Sequence, residues 1–233
     1  MKPILACASF ALILSCGRGD HRDSGPPTTV TKKGSVAKSE MLMAEVKMPA
    51  GELRIEGADT DEVSAEFRFA PASAEPSFRL DTTSFRAKVV IDQTKDLPGF
   101  NSGENVWGVK LPNKLATDLN VNVGAGEARL TLGSIDLRKV ELHMGAGKVV
   151  ADFSGTPKRD YEVNIAGGVG ECEVILPSSA GIRAEAHGGL GSINVTGLEK
   201  HGDVWESANL ASAKPKIRVN VHGGIGEIRI RVQ

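Results

Sequence analysis

The sequence predicts an all-β chain whose main body is a single-stranded β-solenoid, a stack of β coils with Gly-x-Gly corners to which N-terminal strands add. Three observations predict it. From residue 41 onward apolar residues alternate with period two, and no stretch keeps the three-and-four spacing of an amphipathic helix. A small or apolar residue flanked by glycines recurs: Gly124-Ala125-Gly126, Gly145-Ala146-Gly147, Gly168-Val169-Gly170, Gly189-Leu190-Gly191, Gly224-Ile225-Gly226 and, early in the chain, Pro49-Ala50-Gly51. After each of these centres the apolar phase slips by one residue.

The chain opens on a segment of a different kind. Lys2 supplies a positive start, and residues 4–14 form an apolar run broken only by Ser9. That run is too short for a bilayer that needs about 20 residues, but it suits the apolar region of a signal peptide over residues 1–15. It ends in Ile13-Leu14-Ser15-Cys16-Gly17, which resembles the lipobox of bacterial lipoproteins. The expectation is cleavage before Cys16, acylation of its thiolate and a membrane anchor through the lipid. In a Gram-negative host, Gly17 in place of Asp after that cysteine resembles the outer-membrane sorting pattern.

Residues 16–40 are rich in Gly, Pro, Ser, Thr and charge, with few apolar side chains to bury. They are expected as a disordered tether. The tripeptide Arg18-Gly19-Asp20 within it is read as chance. Residues 41–118 are expected as an N-terminal β region, holding the first repeat and an insertion. Its strands show in Val63, Ala65, Phe67 and Phe69, then Phe85, Ala87, Val89 and Ile91, then Trp107, Val109 and Leu111.

Residues 119–233 are the repeat itself. The five later centres stand 21, 23, 21 and 35 residues apart, so the last interval leaves room for an insertion at 197–214, which carries Trp205. Val121 and Val123 alternate into Ala125, but the next apolar positions are Ala128, Leu130 and Leu132. Val149, Cys172, Ile193 and Ile228 likewise sit three residues after their centres, as does Leu53 after Ala50. A one-residue slip would turn a strand's core face to solvent. Each centre must therefore be a bend that restores the inward face, with glycine at Gly51, Gly126, Gly147, Gly170, Gly191 and Gly226 taking the φ > 0 that a Cβ penalises. Stacked at about 4.8 Å per coil, such units bury faces that none could bury alone.

The segments Val121-Asn122-Val123-Gly124-Ala125-Gly126-Glu127, Gly167-Gly168-Val169-Gly170, Gly188-Gly189-Leu190-Gly191-Ser192-Ile193 and Val221-His222-Gly223-Gly224-Ile225-Gly226-Glu227-Ile228-Arg229-Ile230 resemble the bacterial toast-rack domain family of unknown function. The resemblance spans most of residues 41–233. That family is similar to the C-terminal domains of cell-wall-active-antibiotic response proteins and to proposed adhesin head domains. It implies a fold far more than an activity. Its better-understood members carry transmembrane helices and regulate a sensor kinase, and no such helix is read in this sequence.

Candidate chemistry is sparse. The Gly-x-Gly pairs lack the third glycine and the following helix of a dinucleotide site, and no cofactor is expected. Three of the five histidines, His143, His187 and His222, share the position three before a centre. They are a weak metal candidate, since zinc takes at least three placed ligands; Lys47, Asn122 and Ala166 hold the same position elsewhere. Two residues after the centres come Glu52, Glu127, Lys148, Glu171, Ser192 and Glu227, expected as a structural charge ladder, with calcium binding as the alternative. Cys172 is expected as a core thiol. No nucleophile–base set stands out, so no catalytic residue is named and no enzyme is expected. With 28 basic against 29 acidic residues, the chain offers no field to draw nucleic acid. The function expected is a membrane-anchored lipoprotein with a non-catalytic, adhesin-like binding module for an envelope protein or glycan. The alternative is an envelope-stress regulator acting on a membrane sensor kinase.

Overall fold

The computed structural model describes residues 26–83, 85–93 and 104–233. Alternating apolar residues and the absence of helical spacing give strands almost throughout: β1 (Thr28–Ser35), β2 (Met41–Ala58), β3 (Glu62–Phe69), β4 (Ser77–Asp81), β5 (Arg86–Asp92), β6 (Asn105–Pro112), β7 (Ala116–Thr131), β8 (Leu137–Asp152), β9 (Tyr161–Leu176), β10 (Gly181–Thr196), β11 (Glu199–His201), β12 (Val204–Glu206) and β13 (Lys216–Val232). Among the described residues no α-helix forms, and a 3-10 turn at Ala72–Ala74 is the nearest thing to one. The strands make one open sheet rather than a closed barrel, in the order β1-β3-β6-β2-β7-β8-β9-β13-β10-β12-β11, with β5 also on β2 and β4 on β5.

Six strands, β2, β7, β8, β9, β13 and β10, are long, mutually parallel and bent at their Gly-x-Gly centres, giving the stacked coils of a β-solenoid. Register is set by the repeat: Ala50 faces Ala125, Ala125 faces Ala146, and Ala146 faces Val169. The residues that alternate into and out of the corner form the core, among them Val121, Leu130, Leu142, Ala151, Val163, Val174, Val219 and Ile230, all at most 1 % exposed. Outward positions carry polar ladders, such as Asn120 donating to Glu141 at 3.2 Å and Asn220 donating to Asn164 at 2.8 Å.

The coil order departs from sequence order. The repeat predicts that the Ile225 coil closes the stack, but β13 lies between β9 and β10. Ile225 faces Val169 on one side and Leu190 on the other. The four residues 177–180 between β9 and β10 can span two inter-strand spacings, about 10 Å, because extended chain covers roughly 3.3–3.6 Å per residue. The hairpin β11–β12 then folds against the outer edge of β10, where Val204–Glu206 pairs with 183–185. The chain that follows returns on the other side of β10 as β13.

The insertion expected within residues 41–118 also contributes to the stack. β5 runs beside the first arm of β2 and β6 beside the second, both parallel to it. Together they form a split coil, β5 ending opposite Lys47 and β6 beginning opposite Glu52. The corner position is sealed by side chains. Asn105 Nδ2 donates to the Ala50 carbonyl at 2.7 Å and to Gln93 Oε1 at 2.8 Å, while Asn105 Oδ1 accepts from the Trp107 indole at 2.7 Å. Of the strand residues expected there, Val63, Ala65, Phe67, Phe69, Ala87, Val89, Ile91, Trp107, Val109 and Leu111 are buried, but Phe85 is exposed. It precedes β5 rather than belonging to it.

Part of the span 16–40 expected as a disordered tether is a strand. Residues 28–35 form β1, paired antiparallel with all of β3. Its alternation of Thr, Val and Lys puts Val30 against the core, a period-two pattern too weak in apolar content to stand out. Phe69, Phe67, Ala65 and Val63 supply the buried surface that β1 lacks. Cys16, the signal-peptide stretch 1–15 and Arg18-Gly19-Asp20 lie outside the described residues.

Candidate binding site

The corners are glycine for two separate reasons. Gly51, Gly126, Gly147, Gly170, Gly191 and Gly226 hold φ between 121° and 144°, a region that L side chains enter only with strain. A Cβ there would also meet a backbone carbonyl: that of Gly51 stands 2.0 Å from a Cβ on Gly126, and that of Gly147 stands 1.8 Å from one on Gly170. The first glycine of each pair has no positive φ, yet a Cβ on Gly145 would come within 2.3 Å of the Gly124 carbonyl. Pro49 takes that place in the first coil because no described strand faces it: β5 ends opposite Lys47 and β6 begins opposite Glu52.

The residues around the corner then divide the coils into two groups. The position two before the centre points inward, and in β2, β7 and β8 it holds Met48, Val123 and Met144, all buried. In β9, β13 and β10 it holds Gly167, Gly223 and Gly188. The centres change the opposite way, from Ala50, Ala125 and Ala146 to Val169, Ile225 and Leu190. Inward volume is lost and outward apolar surface is gained in the same three coils. Because β13 lies between β9 and β10, the three are adjacent.

The missing side chains leave an apolar slot. Met144 and Val149 wall it on the β8 side, Ile165, Val221 and Ile228 lie beneath, and Ile193 and Ile225 stand at its rim. Its volume is about 80 Å³, well below the 300–1,000 Å³ of sites for drug-sized ligands and of the order of one apolar side chain. Val169 (54 %), Ile225 (53 %), Leu190 (70 %) and Ile193 (37 %) are exposed beside it, four of the six large apolar side chains exposed among the described residues. Exposed large apolar side chains more often stand singly on a protein surface than grouped in this way.

The residues singled out in the sequence distribute around this corner as follows. His187 and His222 stack, ring centroids 5.2 Å apart, because β13 is the neighbour of β10. His143 is separated from them by Ala166, which faces both His143 and His222. Among the described residues no group of three or more His, Cys, Asp or Glu converges on a metal position. In the charge ladder Lys148 faces Glu127 and Glu171 and pairs with Glu171 at 3.3 Å. Glu227 is held below the usual carboxylate range first by its hydrogen bond with Arg229, and it also accepts from Asn194 at 2.9 Å. Cys172 borders the slot, and burial pushes its thiol up to about 12. A thiol so held stays protonated and is a poor nucleophile at neutral pH. Sequence reasoning found the corner glycines but passed over Gly167, Gly188 and Gly223. The signal was present, since a doubled glycine precedes every large centre and none of the alanine ones.

The N-terminal domain of toast_rack, DUF2154, matches residues 22–175. The match reaches back across β1 and ends in the second arm of β9. Among solved structures, a candidate cell adhesion protein from Clostridium sporogenes is 28 % identical, covering 89 % of this chain and 100 % of its own, with a TM-score of 0.84. Candidate adhesins from Bacteroides fragilis (9 % identity, 87 % and 97 % covered, TM-score 0.29) and Parabacteroides merdae (12 %, 90 % and 97 %, 0.27) are far more distant and carry no argument here. No curated protein matches the sequence. With two thirds of its length under the family model and a bent-strand stack shared along the whole of a solved relative, this chain belongs to the toast-rack family.

Proposed function

We propose that this chain is a lipid-anchored protein of the bacterial cell envelope whose solenoid is a non-catalytic, adhesin-like binding module, contacting its partner through the apolar corner of β9, β13 and β10. The observation that carries this reading is the opposed change across the corner: side-chain volume leaves the inward position and reappears outside as Val169, Ile225 and Leu190. A chain selected for stability alone would keep these side chains buried, since each is worth roughly 1.5–3 kcal/mol inside. The likeness to the Clostridium sporogenes protein supports the adhesin-like part of the reading, and the lipobox resemblance of residues 13–16 supports the anchor. The size of the slot favours a protein partner, one apolar side chain of which it would seat, over a glycan.

The test fills the slot. A Cβ on Gly167 would meet nothing nearer than the His222 carbonyl at 3.9 Å, so Gly167→Met should be accommodated as Met144 is one coil away. The full-length protein is isolated from membranes after cross-linking, as wild type and as Gly167→Met. Partners retained by the wild type should be lost from the variant while its melting temperature holds. Equal recovery from both removes the slot from the function. A sensor kinase among the captured proteins would move the reading to envelope-stress regulation.

A further inference from the structure

The stack is finished differently at its two ends. At the N-terminal end β2 is covered by β5 and β6, β6 by β3, and β3 by β1. The last of these strands carries Lys32 and Lys33, paired with Glu75 and Glu62, the kind of charged edge that discourages further pairing. At the other end β12 covers β10 only over residues 183–185. From residue 186 to 196 the outer edge of β10 has no strand against it among the described residues. That stretch, Ala-His-Gly-Gly-Leu-Gly-Ser-Ile-Asn-Val-Thr, contains no Asp, Glu, Lys, Arg or Pro. It has none of the usual protections of an edge strand.

Whatever pairs with this edge must meet a particular shape. The edge bends at Gly189-Leu190-Gly191, in register with the bend of β13 beside it. A generic extended peptide lacks that corner. The uncovered stretch is also nearly symmetric about it, with four residues free before Leu190 and six after.

We propose that two copies of this chain pair through the uncovered edge of β10, antiparallel about a two-fold axis near Leu190 and Gly191. Each copy then supplies an edge bent at the same place, and the apolar row Val169-Ile225-Leu190 continues into Leu190, Ile225 and Val169 of the second copy. An isologous contact of this kind closes on itself. Because the opposite end of the stack is capped and charged, assembly stops at two copies. This contact is independent of the slot, whose filling by Gly167→Met leaves the edge untouched.

The mass of the full-length lipoprotein in mild detergent, by light scattering after correction for the micelle, tests it. The wild type should have the mass of two chains. Leu190→Lys and Leu190→Glu alone should each reduce it to one, by setting like charges against each other at the axis, while an equimolar mixture of the two should restore two. Recovery in the mixture cannot come from variants that fail to fold. A wild type of one chain, or a Leu190→Lys protein that keeps the mass of two, overturns the proposal. A mass of four or more chains, showing an unclosed assembly, overturns it as well.

Discussion

Gly191 belongs to the end coil, yet a Cβ on it would stand 1.7 Å from the carbonyl oxygen of Gly226, as tight as at any corner inside the stack. All six corner glycines direct the absent Cβ the same way along the stack axis, toward the preceding neighbour: Gly51 to Asn105, Gly126 to Gly51, Gly147 to Gly126, Gly170 to Gly147, Gly226 to Gly170 and Gly191 to Gly226. The sequence places Gly226 last, with a neighbour on one side only, and so predicts a weaker effect of valine there than at Gly170. The structure overturns this twice. Gly226 is internal, and even the end coil is crowded on the side that matters.

Gly170→Val, Gly226→Val and Gly191→Val should therefore destabilise by similar amounts. Left-handed strain contributes about 1–2 kcal/mol, and forced displacement of a packed neighbour about 1–3 more. Near 2–4 °C per kcal/mol for a domain of this size, each should lower the melting temperature by roughly 5–15 °C. Gly108→Ala is the control, because a Cβ there meets nothing within 4 Å and its φ is not positive. A Gly226→Val protein that melts with the wild type would show that the β13 insertion is wrong.

Asn105 seals the one coil that has no glycine corner. Its carbonyl lies 2.1 Å from where a Gly51 Cβ would be, the place taken elsewhere by a corner glycine carbonyl. Asn105→Ala would leave the Ala50 carbonyl, Gln93 Oε1 and the buried Trp107 indole each without the partner it has now. At about 1–3 kcal/mol per unsatisfied buried group, partly relieved by relaxation, a loss of about 3 kcal/mol is expected in urea unfolding. A change under half of that would mean the network is replaceable by water.

Cys172 gives a pH signature. Its folded thiol is raised from an ordinary 9.0 to about 12, so the unfolded chain loses this proton first. The group's contribution is whole below pH 9 and is lost as pH rises from 9 toward 12, at no more than about 1.4 kcal/mol per pH unit. Cys172→Ala should lack that component, so wild type and variant stabilities should converge or cross as pH is raised from 8 to 11. Parallel curves would show a thiol in contact with water. In the native protein at pH 8, a thiol reagent should label Cys172 far more slowly than in urea.

The anchor is tested at Cys16. Labelled palmitate should enter the wild type and not Cys16→Ser, and the variant should leave the membrane fraction. Equal labelling, or release of the wild type without detergent, removes the lipoprotein part of the proposed function.

The sequence by itself determined the strand character of the chain, which residues face inward, and where each long strand turns. Those properties are local. A period of two, a slip of one and a glycine that must hold φ near +130° are written into a few consecutive residues, as in Val123-Gly124-Ala125-Gly126-Glu127-Ala128. The order of the coils was decided only by the tertiary structure. Parallel coils join through backbone hydrogen bonds and present the same apolar face, so the Ile225 strand fits beside Val169 as well as Leu190 would. In the folded chain β13 takes that place, and β10, paired with the β11–β12 hairpin over residues 183–185, lies beyond it. The same holds for β1, whose Thr-Val-Thr-Lys pattern becomes a strand only against the phenylalanines of β3. It holds too for the slot. Gly167, Gly223 and Gly188 lie at equivalent sequence positions, but they make one continuous hollow only because β13 stands between β9 and β10.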